Sequence, residues 1–75
     1  MKQIGWIDIQ KEEGYNPTYR PRMLHQSGPQ THLMSKAVAW FEFKLNKRVV
    51  AIVVTDTLYR VCLEEGIETP ISAEV

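Results

Sequence analysis

The side chains that could ligate a metal ion or attack a substrate are few in this chain and far apart. His25 and His32 stand seven residues apart with no Cys, Asp or Glu between them. A zinc site uses four ligands, so these histidines would need ligands from distant parts of the fold. Cys62 is the single cysteine and lies among apolar residues, where a thiol usually packs as a small hydrophobe. We therefore expect neither a metal site nor a cofactor.

Carboxylate pairs and nucleotide motifs lead to the same expectation. Glu12 with Glu13, and Glu64 with Glu65, are adjacent in sequence, and adjacent side chains on a helix or strand point apart and share no proton. The sequence contains no glycine-rich phosphate loop and no Gly-x-Ser-x-Gly nucleophile motif. We therefore predict that the protein is not an enzyme.

A stretch of cations and aromatic rings is more informative. Residues 14–32, GYNPTYRPRMLHQSGPQTH, include two tyrosines, two arginines and three prolines but no acidic residue. Trp, Tyr and Arg supply most of the binding energy at protein interfaces, and cations beside rings also suit single-stranded nucleic acid. The residues predicted to contact a partner are Tyr15, Tyr19, Arg20, Arg22, Trp40, Lys47 and Arg48.

Charge is balanced overall but unevenly distributed. Nine basic residues offset nine acidic ones, no acidic residue occurs between Glu13 and Glu42, and only acidic charges follow Arg60. A neutral chain with an acidic end is not a bulk binder of polyanions, because binding to a phosphate backbone depends on net positive charge. We therefore expect a protein partner, in particular one with an acidic patch, and place nucleic acid second.

The elements that must position these residues are limited by length, because 75 residues make one domain, 1–75, with a small core. Read as a two-residue turn, Asn46-Lys47 makes residues 38–54 a central hairpin with one continuous apolar face. The side chains predicted to be buried on that face include Phe41, Phe43, Val50 and Ile52.

The opposite face of this predicted hairpin pairs Trp40 with Val53 and is neither fully polar nor fully apolar. An apolar surface of that kind is usually covered. We expect the long loop, a foreign partner or a second copy of the chain to cover it, and a homodimer through the Trp40/Val53 face is one of these alternatives.

Two further elements complete the predicted fold. The segment 56–65 has a helix N-cap candidate in Asp56 and a C-terminal stop in Gly66, which predicts a short helix packed on one face of the sheet. QIGWIDIQ alternates as a third strand, with Ile7 facing one side and Trp6 the other. The predicted class is α+β with a three-stranded, mostly antiparallel sheet. The segment 67–75 fits either an edge strand or a frayed tail, with the tail preferred.

The connection between the first strand and the hairpin, residues 14–36, is much longer than a common loop of about 4–6 residues. Long loops without regular structure are usually functional or disordered, and Pro17 and Pro21 restrict this one. The loop is predicted to be the principal recognition element, with Tyr19, Arg20 and Arg22 as contacts.

Together these features predict a small non-enzymatic protein-binding module, an accessory or inhibitor protein of the phage or mobile-element type, that acts through the 14–36 loop and the Trp40 face. The alternative is a small RNA- or single-stranded-DNA-binding protein that uses the Tyr/Arg loop and the basic tip at Lys47 and Arg48. No apolar run reaches the ~18 residues that span a bilayer, Asp8 interrupts the first apolar stretch, and one cysteine fits a reducing compartment. We therefore expect a cytoplasmic location and no membrane partner.

Overall fold

A computed structural model describes residues 3–64 and shows one helix on a four-stranded sheet. The α+β class is confirmed, but the sheet has four strands instead of the three predicted. In chain order the elements are β1 (Gln3–Gln10), β2 (Thr18–Arg22), α1 (Met34–Leu45), β3 (Val49–Thr55) and β4 (Leu58–Leu63). The strands lie in the order β2-β1-β4-β3 and every neighbouring pair is antiparallel.

Strand β1 is confirmed, and its alternation places two kinds of side chain on the two faces of the sheet. Gly5, Ile7 and Ile9 are buried on the face that carries α1, whereas Trp6 and Asp8 lie on the other face and are half-buried. We call the side without α1 the second face. Within residues 3–64 no helix or further strand packs on the second face.

The predicted hairpin 38–54 is wrong in its first half, because residues 34–45 form α1. MSKAVAWFEFKL is rich in helix formers, and a repeat near 3.6 residues places the buried Ala37 and Phe41 on one side. Alternation in this segment fits a strand equally well, which is why the pattern misled. Asn46 has the left-handed conformation expected of it (φ 53°, ψ 38°), but as the residue that ends the helix and not as a hairpin turn.

The predicted helix 56–65 is also wrong, because Leu58–Leu63 is strand β4. Asp56 and Thr57 form the turn of a hairpin between β3 and β4, with Val50 opposite Cys62 and Ile52 opposite Arg60. Asp is as common in turns as at helix N-caps, and LYRVCL alternates with period two, which favours a strand. The segment 67–75, for which a tail was preferred, lies outside the described residues.

The predicted 14–36 loop contains strand β2, which pairs with β1. Tyr19 directs its backbone N–H away from β1, towards Thr31. Pro21 is two residues further along the strand, so its nitrogen faces the same outer side. Proline is tolerated there because no hydrogen bond to β1 is lost. Residues 27–31 then run back along that outer edge through bridges at Thr31 and Ser27. The loop is therefore largely organised against the sheet.

The core lies between α1 and the sheet and consists of Ile7, Ala37, Phe41, Val49 and Val61. Phe43 does not belong to it: 83% of its surface is exposed, whereas Phe41 is fully buried. Val61 and Cys62 are buried, and they belong to a strand and not to the predicted helix 56–65. Helix α1 is the one helix among residues 3–64. Its 12 residues are too few to cross a bilayer.

Candidate functional site

Trp40 forms the floor of a groove on the outer side of α1. The indole is half-buried and meets the ring of Phe41 edge to face, with the centroids 5.0 Å apart and the planes at 85°. It also packs on Gly28 so closely that a Cβ at that residue would lie 2.6 Å from Trp40 Nε1 and 2.8 Å from Pro21 Cγ. Only glycine fits beneath this ring, because any side chain at residue 28 would clash with the indole in this position.

The walls of the groove come from α1 and from the segment that follows β2. Phe43, one helical turn after Trp40, and Ala39 are exposed, and the space between them and the 29–31 segment measures about 460 Å³. The lining residues are Pro21, Pro29, Gln30, Thr31, Lys36, Ala39, Trp40 and Phe43. We call this site the Trp40 groove.

The charge around the Trp40 groove has one sign. Lys36 lies in the lining, and Nζ of Lys44 is 5.9 Å from the centre of the Trp40 ring, a cation–π distance. None of the lining residues is acidic. The groove therefore presents an apolar floor and a cationic rim, which suits an apolar side chain with a carboxylate beside it.

The other residues predicted to bind a partner do not gather at one place. Tyr19 packs against the core from the α1 side, whereas Arg20 and Arg22 lie on the second face, because neighbours along a strand point to opposite faces. Tyr15 is 75% exposed in the β1–β2 connection. Lys47 and Arg48 lie between α1 and β3 and line neither the Trp40 groove nor the cavity beside Tyr15.

The predicted Trp40/Val53 face does not exist as one surface. Trp40 packs on Gly28 and Pro21 at the β2 edge of the sheet, whereas Val53 lies in β3 at the opposite edge, three strands away. The two residues would be paired only if residues 38–45 formed a strand, and they form a helix.

The second face carries a row of residues that the sequence interpretation missed. Trp6 is directly opposite Arg22 on one side and Arg60 on the other. Asp8, two residues further along β1, forms an ion pair with Arg22, with Nε 2.5 Å from Oδ2, and is opposite Arg20. Arg60 was assigned to a helix and so was not placed beside Trp6; the alternation of LYRVCL was the signal that could have found it.

A smaller polar cavity of about 270 Å³ lies beside the β1–β2 connection. Tyr15 and His32 line it, Gln30 Nε2 donates to Thr18 Oγ1 at 2.7 Å, and His32 Nδ1 is 3.3 Å from the carbonyl oxygen of Pro17. Within residues 3–64 no three His, Cys, Asp or Glu side chains come together closely enough to hold a metal ion.

Comparison with known proteins adds no relative: no protein-family model, no curated protein and no solved structure matches this chain.

Proposed function

We propose that the chain is a small non-enzymatic protein-binding module that holds an apolar side chain of its partner in the Trp40 groove. The observation that carries this proposal is the exposure of Phe43, at 83%, beside Trp40 in one groove. Burying one large apolar side chain is worth about 1.5–3 kcal/mol, and Phe43 does not gain this within the described fold. A partner that covers Phe43 would supply this burial.

The shape of the Trp40 groove also favours binding. Aromatic anchors in rigid pockets dominate the energetics of protein interfaces, because little conformational entropy is lost when they are covered. Trp40 packs on Gly28 and Phe41 within the chain itself, so these contacts do not depend on a partner. The predicted recognition loop takes part through its end, since Pro29, Gln30 and Thr31 form one wall.

The partner proposed is a short segment with a large apolar residue flanked by Asp or Glu. Lys36 and Lys44 attract carboxylates, and the absence of acidic residues from the lining leaves no repulsion. This chemistry agrees with the acidic patch expected from the sequence. An accessory or inhibitory role in the cytoplasm is the form of activity that we propose for such a module.

A library of displayed random peptides tests the proposal, with two variants matched in exposure. Phe43→Ala removes the groove wall, and Leu24→Ala removes an 81% exposed side chain that does not line the groove. We expect peptides selected on the parent protein to combine an apolar anchor with acidic flanks. Their affinity should fall about tenfold or more in Phe43→Ala and stay unchanged in Leu24→Ala, by titration calorimetry.

The proposal is overturned if the selected peptides bind Phe43→Ala as well as they bind the parent. It is also overturned if selection enriches no peptide. A loss of affinity in Leu24→Ala together with parental affinity in Phe43→Ala would place the binding surface at the 23–26 connection instead of the groove.

Single-stranded nucleic acid is the second candidate, and the row Arg22–Trp6–Arg60 favours it, because a ring between two guanidinium groups can stack on a base while the cations meet phosphates. Binding of an oligothymidylate should quench tryptophan fluorescence. Arg60→Gln should lower the slope of the logarithm of the binding constant against the logarithm of the salt concentration, by about one unit for each phosphate that the protein no longer neutralises. Lys11→Gln, an exposed lysine beyond the end of β1, is the control. No quenching at low salt removes this candidate.

A further inference from the structure

The two edges of the sheet differ in their backbone pairing. At the β2 edge, Tyr19 and Thr31 exchange two backbone hydrogen bonds of 2.6 and 2.9 Å, and Gly28 donates to the carbonyl of Pro21 at 2.9 Å. At the β3 edge, none of residues 3–64 supplies a pairing strand. The β2 edge is covered by the chain itself, whereas the β3 edge is open among residues 3–64.

The open edge has defined donors and acceptors. Glu64 N donates to the carbonyl of Arg48 at 3.2 Å, so in an antiparallel ladder residues 48, 50 and 52 face β4 and residues 49, 51 and 53 face outward. Val49 N–H confirms this direction, because it donates to Glu42 Oε2 at 3.3 Å. Within the described part of the chain, the outward N–H groups of Ala51 and Val53 have no such partner.

The composition of β3 does nothing to discourage pairing. Natural edge strands are usually protected by a charged residue, a proline or a covering segment. VVAIVVT contains no charge and no proline, and Val53 and Val54 are 63% and 51% exposed. An irregularity between Val53 and Thr55 leaves Val49–Val53 as the regular part.

We propose that β3 pairs with β3 of a second copy, antiparallel about a two-fold axis at Ala51. The axis is placed at Ala51 because this residue is the middle of the regular part and faces outward. Ala51 then exchanges two hydrogen bonds with its own copy. Val49 is opposite Val53 of the second chain, whose N–H donates to the carbonyl of Val49, while Val49 N–H keeps its bond to Glu42. All cross-strand pairs are apolar, including Val50 with Ile52, so no like charges meet.

A second copy is the occupant that the edge itself specifies. A two-fold antiparallel pair needs a strand whose sequence tolerates its own reversal, and an uncharged run of Val, Ala and Ile does so. The pair makes one eight-stranded sheet from two four-stranded ones and adds buried area to a small core. The Trp40 groove, at the β2 edge, stays open, so this inference stands independently of the proposed function.

The mass of the protein in solution, measured by sedimentation equilibrium from about 10 µM to about 1 mM, tests the pairing. The parent should approach twice the chain mass. Val53→Lys should raise the dissociation constant about tenfold or more, because a lysine at the edge opposes pairing. Leu24→Lys adds the same charge at a similarly exposed residue off the edge and should leave the dimer intact.

A disulfide scan tests the register. The two copies of Ala51 are about 5.5 Å apart between Cα atoms in this pairing, which a disulfide can span, whereas the two copies of Val53 are offset by about 13 Å. Oxidised Ala51→Cys should therefore form a covalent dimer much faster than Val53→Cys. The native Cys62 is buried and supplies the background rate in the parent protein.

A parent that stays monomeric throughout the concentration range overturns the inference. So does a dimer that Val53→Lys leaves unchanged, and Phe43→Lys then shows whether the Trp40 groove is the interface instead. Equal cross-linking of Ala51→Cys and Val53→Cys contradicts the register.

Discussion

Helix α1 has two unlike sides, and two phenylalanines separated by one residue mark them. Phe41 is fully buried against the sheet, whereas Phe43 is 83% exposed on the outer side. A surface helix ordinarily keeps polar residues on its outer side. Here the outer side carries Ala39 and Phe43 beside Trp40, so apolar character occurs on both sides of the helix.

The difference shows that the two sides satisfy separate requirements. Ala37 and Phe41 hold the helix on the sheet, and their burial accounts for why residues 34–45 are helical. Phe43 contributes no burial to the core and leaves an apolar wall exposed. Stability and binding should therefore respond to different substitutions on the same helix.

Removing the inner side should have the largest effect. Phe41→Ala leaves a cavity in a fully buried site and should lower the free energy of unfolding by about 3–5 kcal/mol, close to the total stability of a small domain. Chemical denaturation followed by circular dichroism measures this loss. An unchanged midpoint would mean that Phe41 is not in the core.

Crowding the inner side should have a smaller effect. A Cβ at Gly5 would lie 2.6 Å from Phe41 Cε1 and closer still to the backbone carbonyl of Arg22. Gly5→Ala should therefore destabilise by about 1–3 kcal/mol. Phe41→Leu in the same chain should recover part of that loss, because it shortens the clashing side chain. Strict additivity of the two substitutions in a double-mutant cycle would contradict the contact.

Removing the outer side should hardly alter stability. Phe43→Ala should change the free energy of unfolding by no more than about 0.5 kcal/mol, because the side chain is mostly in water. Thermal unfolding of Phe43→Ala and of Phe41→Ala, compared side by side, distinguishes the helix from the predicted hairpin 38–54. The hairpin would bury both rings, whereas the helix buries only Phe41. A large loss of stability in Phe43→Ala would contradict the helix and favour the predicted hairpin.

The smallest effect on binding concerns the rim of the groove. Lys44→Gln removes the cation near Trp40. It should lower the affinity for an acidic peptide about threefold at low salt, and at high salt the two proteins should bind equally well. Calorimetry at two ionic strengths measures it. An effect of salt that is equal in parent and variant would remove Lys44 from recognition.

Strand β1, at the centre of the sheet, was predictable, whereas the helix and the other central strand, β4, were not. In QIGWIDIQ, Ile7 and Ile9 alternate with Asp8 and Gln10, and this period of two favours a strand. AVAWFEFKL is apolar at so many positions that both periods fit it, and the choice depends on which partner buries Phe41. That partner is Ile7 and its neighbours, far away in sequence.

Strand β3 was predicted as one arm of a hairpin for the same reason, but with residues 38–45 as its partner instead of β4. Local signals marked Asn46 as left-handed and Asp56 as a helix start, and both residues fit a second role. Tertiary pairing decided between these roles. Trp40 was identified as a binding residue from its type, but Gly28 beneath it and Phe43 beside it follow only from the helix.

The two tryptophans permit the most direct test of the central claim, which is that binding occurs in the Trp40 groove. Trp40 lies in the groove and Trp6 on the second face, so their indole N–H signals in a two-dimensional NMR spectrum report separate surfaces. Titration with a selected acidic-flanked peptide should shift the Trp40 signal and leave Trp6 in place. A shift of Trp6 with no change at Trp40 would contradict the account and assign recognition to the second face.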